Sequence, residues 1–260
     1  MLPARGGQYS DRDTELRWNE APWDSAVWGT PVFQIENIRA GAGNAEGAME
    51  AFFASCAAHD CTFASCRMPV SALRESMWLE AHGFRFIEMM YRPSLTLDPG
   101  SDYLAGSAPL EVSPAHEDDL PVLLDIAGQA FGNERFHVDP RIAPGIGDLR
   151  YQNWVGAALN DEVQQLLVLR EGEEVVAFFV VENRTDGTAY WHLNAVNPAL
   201  HGRGLGMRAW RTMIAHAQGA GASRVESSIA ARNTRVMNLY SRLGFRFGDP
   251  AMTFHWIAGK

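Results

Sequence analysis

Apolar residues along this chain follow two spacings. Val163 to Arg170 and Glu174 to Glu182 are near-continuous runs rich in β-branched and aromatic residues, joined by the turn Glu171-Gly172-Glu173, and they read as a hairpin of buried strands. Thr188 to Val196 adds a third strand. A helical spacing takes over from about Leu205 to Ala217, followed by a strand Arg224 to Ile229, a helix from about Thr234 to Leu243 and a final strand near Met252 to Ile257. Upstream, Leu110 to Val112 is a short strand, Ser113-Pro114-Ala115-His116-Glu117 opens a helix running over Asp118 to Phe131, and Leu149 to Leu159 is a second helix. A meander of strands that gives way to strand and helix alternation predicts a mixed α/β sheet.

A first block, from about Glu15 to Thr96, is set off by a Pro, Gly and Ser-rich stretch from Arg92 to Pro109. The expected organisation is an N-terminal domain over 1–100, a linker over 101–109 and a second domain over 110–260. The two blocks are internally related. Helix-Gly83-Phe84-Arg85-Phe86 before a strand recurs as helix-Gly244-Phe245-Arg246-Phe247, and the same ungapped register sets Gly41-Ala42-Gly43 against Gly202-Arg203-Gly204. The earlier glycine turn continues Asn44-Ala45-Glu46, with an acid where an anion would dock, so the first half is expected to have lost its ligand loop.

Composition narrows the functional classes. The chain is 47% apolar and 20% charged, with 22 Lys plus Arg against 31 Asp plus Glu, giving a formal net charge of −9. Such an acidic balance disfavours broad nucleic-acid binding, while leaving room for one anionic ligand on a local basic loop. No window approaches the roughly 18 apolar residues of a membrane span, and the start lacks the apolar core of a signal peptide, so a cytoplasmic location is expected. Cys56, Cys61 and Cys66 flank His59, but no second ligand cluster follows; they read as small buried thiols, and no metal is expected.

The candidate chemistry begins where the third strand ends, at Leu193-Asn194-Ala195-Val196-Asn197-Pro198-Ala199-Leu200-His201-Gly202-Arg203-Gly204-Leu205-Gly206. A glycine loop placed directly before a helix presents unpaired N–H groups and partial positive charge, and the missing Cβ atoms let phosphate oxygens approach the backbone. Arg203 and Arg208 add local charge. A dinucleotide-binding turn is disfavoured, because three paired strands precede the loop instead of one. The second element is Asn233-Thr234-Arg235-Val236-Met237-Asn238-Leu239-Tyr240-Ser241-Arg242-Leu243-Gly244-Phe245. Together, in this order, the loop and this helix resemble the two most recognisable motifs of the GNAT superfamily of acyl-CoA-dependent N-acetyltransferases, over about Leu110 to Ile257. The one departure in the loop is His201, where the family more often has Gln or Arg.

The resemblance implies a GNAT fold with an N-terminal degenerate, truncated GNAT-like half-domain, acetyl-CoA as co-substrate, and direct attack by an amine without an acyl-enzyme. It implies that Ala195 and Val196 meet the pantetheine arm at a splayed gap in the sheet. The amides of His201, Gly202, Arg203, Gly204, Leu205, Gly206 and Met207 would hold the pyrophosphate, Asn233 would bond the pantetheine region, and Tyr240 would act as general acid toward the departing thiolate. The base is not fixed by the resemblance. Strict alternation would put Tyr190, His192, Asn194 and Val196 on one strand face, and of these His192 has the pKa suited to base work, with Glu182 and Asp139 as weaker alternatives.

A long connection carrying Phe131, Arg135 and Phe136, followed by Tyr151 and Trp154, resembles the dTDP-fucosamine acetyltransferase branch, which shows an Arg-Phe pair and a Tyr-x-x-Trp helix. Trp23 to Gly29 resembles the branch's aromatic-Gly entry segment. By that resemblance the substrate is a small-molecule amine on a nucleotide sugar, with Arg135 facing a diphosphate, Phe131, Phe136, Tyr151 and Trp154 stacking on base or sugar, and Asn194 beside them. Each aromatic has core packing as its alternative role. Other readings stay open: a GNAT enzyme acting on another small amine, an antibiotic or a protein amino group, or a non-catalytic acyl-CoA sensor. A homodimer is also left open by the resemblance.

Overall fold

The computed structural model describes residues 5–41 and 46–260. The elements begin with β1 (Gly6–Ser10), β2 (Glu15–Glu20), α1 (Pro22–Trp28), β3 (Val32–Arg39), α2 (Glu46–Ala58), β4 (Phe63–Pro69), α3 (Leu73–Ala81) and β5 (Arg85–Tyr91). They continue with β6 (Pro93–Thr96), β7 (Glu111–Pro114), α4 (Leu120–Ala130), α5 (Arg135–Val138), α6 (Ile146–Ala158), β8 (Gln164–Glu171), β9 (Glu174–Asn183) and β10 (Thr188–Val196). Last come α7 (Leu205–Gly219), β11 (Arg224–Ser227), β12 (Ile229–Ala230), α8 (Thr234–Arg242), β13 (Arg246–Phe247) and β14 (Ala251–Ile257).

Two compact units divide the chain, and neither is continuous in sequence. One takes Met1–Met90, Arg135–Ile146 and Asp249–Lys260; the other takes Tyr91–Glu134 and Gly147–Gly248. In the first unit, β1, β2 and β3 pair antiparallel, β3 lies parallel to β4, and β14 is inserted antiparallel between β4 and β5. Its core gathers Leu16, Trp18, Phe33, Ile35, Phe52, Phe84 and Phe254, each between 0% and 3% exposed.

The second unit repeats this plan. β7, β8, β9 and β10 form an antiparallel meander, β10 lies parallel to β11, and β6 is inserted antiparallel between β11 and β13. Each unit therefore receives an inserted strand from outside its main run: β6 follows β5 in sequence, and β14 follows β13. The stretch expected as linker thus begins with a strand, and the final strand expected in the second domain belongs to the first unit. Met252 and Phe254 explain the latter, since they bury against the first unit's core. The contiguous split at 100 and 110 does not describe these units.

The repeated Gly-Phe turn has one geometry in both halves. Gly83 and Gly244 adopt φ of +86° and +85°, a region that only glycine enters without cost. Phe84 N–H then donates to Leu79 O and Phe245 N–H to Tyr240 O, each at 3.1 Å. In this register Leu79, fully buried, stands where the second half has Tyr240. The other repeated signal, the glycine turn at 41–43 and its continuation Asn44-Ala45, lies largely outside the described residues.

The sheet of the second unit has two distinct faces. On one, α7 and α8 pack Trp210, Met213 and Tyr240 against Ala177, Phe179, Val181 and Trp191. On the other, α4 and α6 pack Leu123, Ile126, Tyr151 and Val155 against Phe178, Val180, Leu193 and Ala195.

Candidate active site

The loop before α7 is built as an anion seat. Gly202 and Gly204 adopt φ of +84° and +74°, and a Cβ added at Gly202, Gly204 or Gly206 would meet nothing within 4 Å. Gly204 is the N-cap of α7 and no side chain caps the helix. A 15-residue helix therefore points uncapped N–H groups across an open, glycine-lined surface. Of the two arginines, Arg208 is committed to Glu171 and to the carbonyl of Ala108, whereas Arg203 makes an exposed pair with Glu174 at 3.1 Å. Partial burial and the Arg235 cation hold the His201 ring below the usual range, so it enters as a neutral ring.

The strand leading to that loop is interrupted. β10 pairs with β11 only from Thr188 to Trp191, so beyond Trp191 its other edge has no β11 partner. At the same point β10 bulges: Trp191 opposes Val181 but Leu193 opposes Val180, leaving His192 as the extra residue. The bulge corrects the strict alternation expected for this strand. Asn194 and Val196 oppose Phe179 and Ala177 on the α7/α8 face, while Tyr190 opposes Glu182 and Leu193 and Ala195 join the α4/α6 core. His192 contacts Glu182, Tyr190 and Trp154, so it keeps company with the latter face.

Tyr240 lies on the α7/α8 face, 1% exposed, edge-on to Phe245 and Trp210 at ring distances of 4.6 and 6.3 Å. Among the described residues its hydroxyl has no hydrogen-bond partner, nor have the buried indole N–H groups of Trp191 and Trp210. A buried phenol left unpaired costs about 1–3 kcal/mol, so such an orphan signals a missing ligand atom. Burial pushes its pKa up, and the neighbouring Ser227, Trp210 and Asn194 side chains act against that. The group is a protonated donor at neutral pH. Asn233 caps α8, its side chain accepting from Val236 N–H at 3.3 Å, which leaves its amide N–H₂ free to donate.

On the α4/α6 face, His192 Nε2 lies 2.8 Å from Glu182 Oε2. Burial lowers the His192 pKa and Glu182 partly restores it, so the ring is neutral near pH 7. Trp154 donates its indole N–H to Gln164 at 2.8 Å, Tyr151 stacks on Phe131 at 4.4 Å, and the Arg150 guanidinium lies 5.3 Å from both the Tyr151 and Trp154 rings.

An uncapped glycine loop, a splayed strand and an orphaned tyrosine are thus assembled in one unit, and the sequence comparison agrees with them. The acetyltransferase (GNAT) family model matches residues 125–245. Over that span the chain is similar to the GNAT acetyltransferases. The spore coat polysaccharide biosynthesis protein SpsD of Bacillus subtilis (strain 168) is 21% identical over 247 residues, covering 94% of this chain and 84% of its own. A functionally unknown conserved protein from Staphylococcus epidermidis superimposes with a TM-score of 0.65 at 11% identity, over 97% of this chain and 94% of that one. A GCN5-related N-acetyltransferase from Kribbella flavida gives 0.59 at 18% identity, over 98% and 90%. These structures share the fold.

Two residues expected at the acetyltransferase's substrate site lie elsewhere. Arg135 is 9% exposed, and its guanidinium is paired with Asp24 in the first unit. It also donates to His255 Nε2 at 3.2 Å, and His255 Nδ1–H donates to Asp139 Oδ2 at 2.9 Å, with Arg141 on the same carboxylate at 2.8 Å. Phe136 sits in a core with Val32, Phe63, Ile142 and Ile257. Both residues pack the first unit because their segment, Arg135–Ile146, belongs to it. Asp139, a weaker candidate base, is locked in the same network. Ser227 and Trp210, which flank Tyr240, carry no motif in the sequence; the unpaired indole is their signal, and it exists only in three dimensions. Among the described residues no helix is long and apolar enough to cross a membrane.

Proposed function

We propose that this protein transfers the acetyl group of acetyl-CoA directly to a small-molecule amine, and that the amine is carried by a nucleotide-linked sugar. The observation that carries the chemistry is the orphaned Tyr240 hydroxyl on the same sheet face as the open edge of β10, in the unit that also bears the uncapped glycine loop. The residues fit acetyl-CoA in three respects: an anion seat, a free strand edge that can pair with an amide-bearing arm, and a buried proton donor. Bound there, acetyl-CoA supplies a thioester carbonyl and a thiolate leaving group.

In this reading the N–H groups from His201 to Met207 hold the pyrophosphate, and the free backbone of Ala195 and Val196 holds the pantetheine amides. Asn233 donates to the same arm. Tyr240 keeps its proton at the hydroxyl for release to the sulfur, with the Asn194 and Trp210 side chains beside it. His192 takes a proton from the incoming ammonium. Phe131 and Trp154, with Arg150 over the Trp154 ring, form the platform for the sugar or its base, while Tyr151, buried in the core, backs Phe131 instead of meeting the substrate as its sequence position suggests. Support for a sugar substrate comes from the similarity to the Bacillus subtilis spore coat polysaccharide biosynthesis protein.

The test is thiol release from acetyl-CoA against dTDP- and UDP-linked amino sugars, aminoglycosides, polyamines and short peptides. Turnover should be strongest on a nucleotide amino sugar. Turnover confined to peptides or free amines would remove the sugar assignment, and acetyl-CoA binding without any turnover would replace the enzyme with a sensor.

A further inference from the structure

We infer that Glu182 is a positioning residue for His192, the two forming a carboxylate–imidazole dyad that readies the amine; this rests on His192 being the base proposed above. The geometry starts with the bulge. Were β10 regular, Asn194 and Val196 would share the face of Tyr190 and His192; the extra residue carries them to the other face and leaves His192 beside Glu182 near the end of β9. There Nε2 meets Glu182 Oε2 at 2.8 Å, and among the described residues Nδ1 makes no hydrogen bond. A carboxylate accepts only, so Nε2 carries the proton and Nδ1 presents its lone pair. That is the tautomer a base requires, and the carboxylate fixes it by accepting from Nε2–H.

The ring is held on both flanks, by Tyr190 at 4.7 Å and Trp154 at 6.0 Å. Tyr190 is itself anchored, its hydroxyl 2.5 Å from Ser228 Oγ. Glu182 is anchored too, because Arg184 bonds the same oxygen at 3.1 Å and lies over the Tyr190 ring at 4.1 Å. The charged and titratable groups around His192 are therefore Glu182 on β9 and Arg184 just beyond it, Tyr190 beside it, Asp161 ahead of β8, and Arg150 over Trp154 on α6. In the step, Nδ1 accepts a proton from the substrate ammonium, which leaves a neutral amine whose lone pair forms the new C–N bond. Glu182 stabilises the resulting imidazolium through the Nε2–H bond, and solvent later takes the proton from Nδ1.

The experiment is a kcat/KM profile from about pH 5.5 to 9 with amine limiting and acetyl-CoA saturating, alongside a titration of the His192 ring proton signals in the free protein. Glu182→Gln should lower kcat about 10-fold and move both the acid limb and the ring titration to lower pH, because the imidazolium loses its anion. Glu182→Asp should restore much of the rate. Arg184→Gln should move the limb the opposite way, since a nearby cation is removed. A purely structural Glu182–Arg184 pair would give both variants the same effect, and that result would overturn the dyad. If His192→Gln loses the acid limb while Glu182→Gln keeps it in place, Glu182 has no such role and the base stands. If His192→Gln keeps wild-type activity, the base itself is wrongly assigned.

Discussion

Acid should destabilise this protein most strongly through one buried ring. His255 is fully buried on β14, accepting from Arg135 and donating to Asp139. Burial, aided by the Arg135 and Arg141 cations, lowers its pKa to about 4 against an ordinary value of 6.5, despite the opposing pull of Asp139. The unfolded chain therefore binds this proton more readily than the folded one, and stability falls as pH drops from 6.5 toward 4. Asp139 adds nothing in that window. Burial alone would raise its pKa, but the hydrogen bonds from His255 and Arg141 outweigh this and keep it ionised well below the usual carboxylate range. Between about pH 7.5 and 4.5 the ring's contribution to stability falls by about 2.5 kcal/mol, which corresponds to roughly 5–10 °C in Tm for a chain of this size. His255→Asn preserves a donor toward Asp139 but cannot titrate. Thermal melts across that pH range should show the variant losing about 2–3 kcal/mol less than the wild type on acidification, whatever its stability at neutral pH. Parallel pH dependences in the two proteins would refute a buried neutral imidazole.

Three further outcomes are expected. Tyr240→Phe should cut turnover by about 10²-fold or more with acetyl-CoA affinity nearly unchanged by calorimetry, and, because the hydroxyl it removes has no partner, melting should show no loss of stability. Gly206→Glu should abolish acetyl-CoA binding in the same calorimetric titration while leaving the fold intact, since the site is open, φ is ordinary and an acid suits a helix N-terminus. Arg135→Met should lower unfolding free energy in urea by about 1.5–3 kcal/mol, because it removes a charge-assisted hydrogen bond to the buried Asp24 carboxylate. It should leave KM for the amine unchanged in whatever protein remains folded; a raised KM would return Arg135 to the substrate site.

Most elements of the second half were legible because their signals are local. Thr188–Val196 is bounded as its apolar run suggested, and α7 begins at Leu205, directly after the glycine loop. Tyr240 was legible through the helix motif around it. What could not be read was anything set by partners distant in sequence. The bulge at His192 is invisible in a sequence where residues alternate correctly on either side, yet it reverses the face of Asn194 and Val196. Pro93 and Ser94 look like linker, but β11 and β13 flank them and make a strand of them. Arg135 and Phe136 look exposed in a long connection, and only the burial of Asp24 and Phe63 beside them shows otherwise.

The inserted β14 also has a consequence for synthesis. β4 and β5 are complete once Tyr91 has been made, but the strand that fits between them comes from Ala251–Ile257. At 5–20 residues per second, a ribosome leaves that slot open for roughly 10–30 s. Throughout that interval the nascent chain displays two unpaired β edges beside apolar Phe63 and Met68, the kind of surface that captures other chains. Yield in the cell is therefore expected to hinge on translation rate and on chaperones that shield the waiting slot.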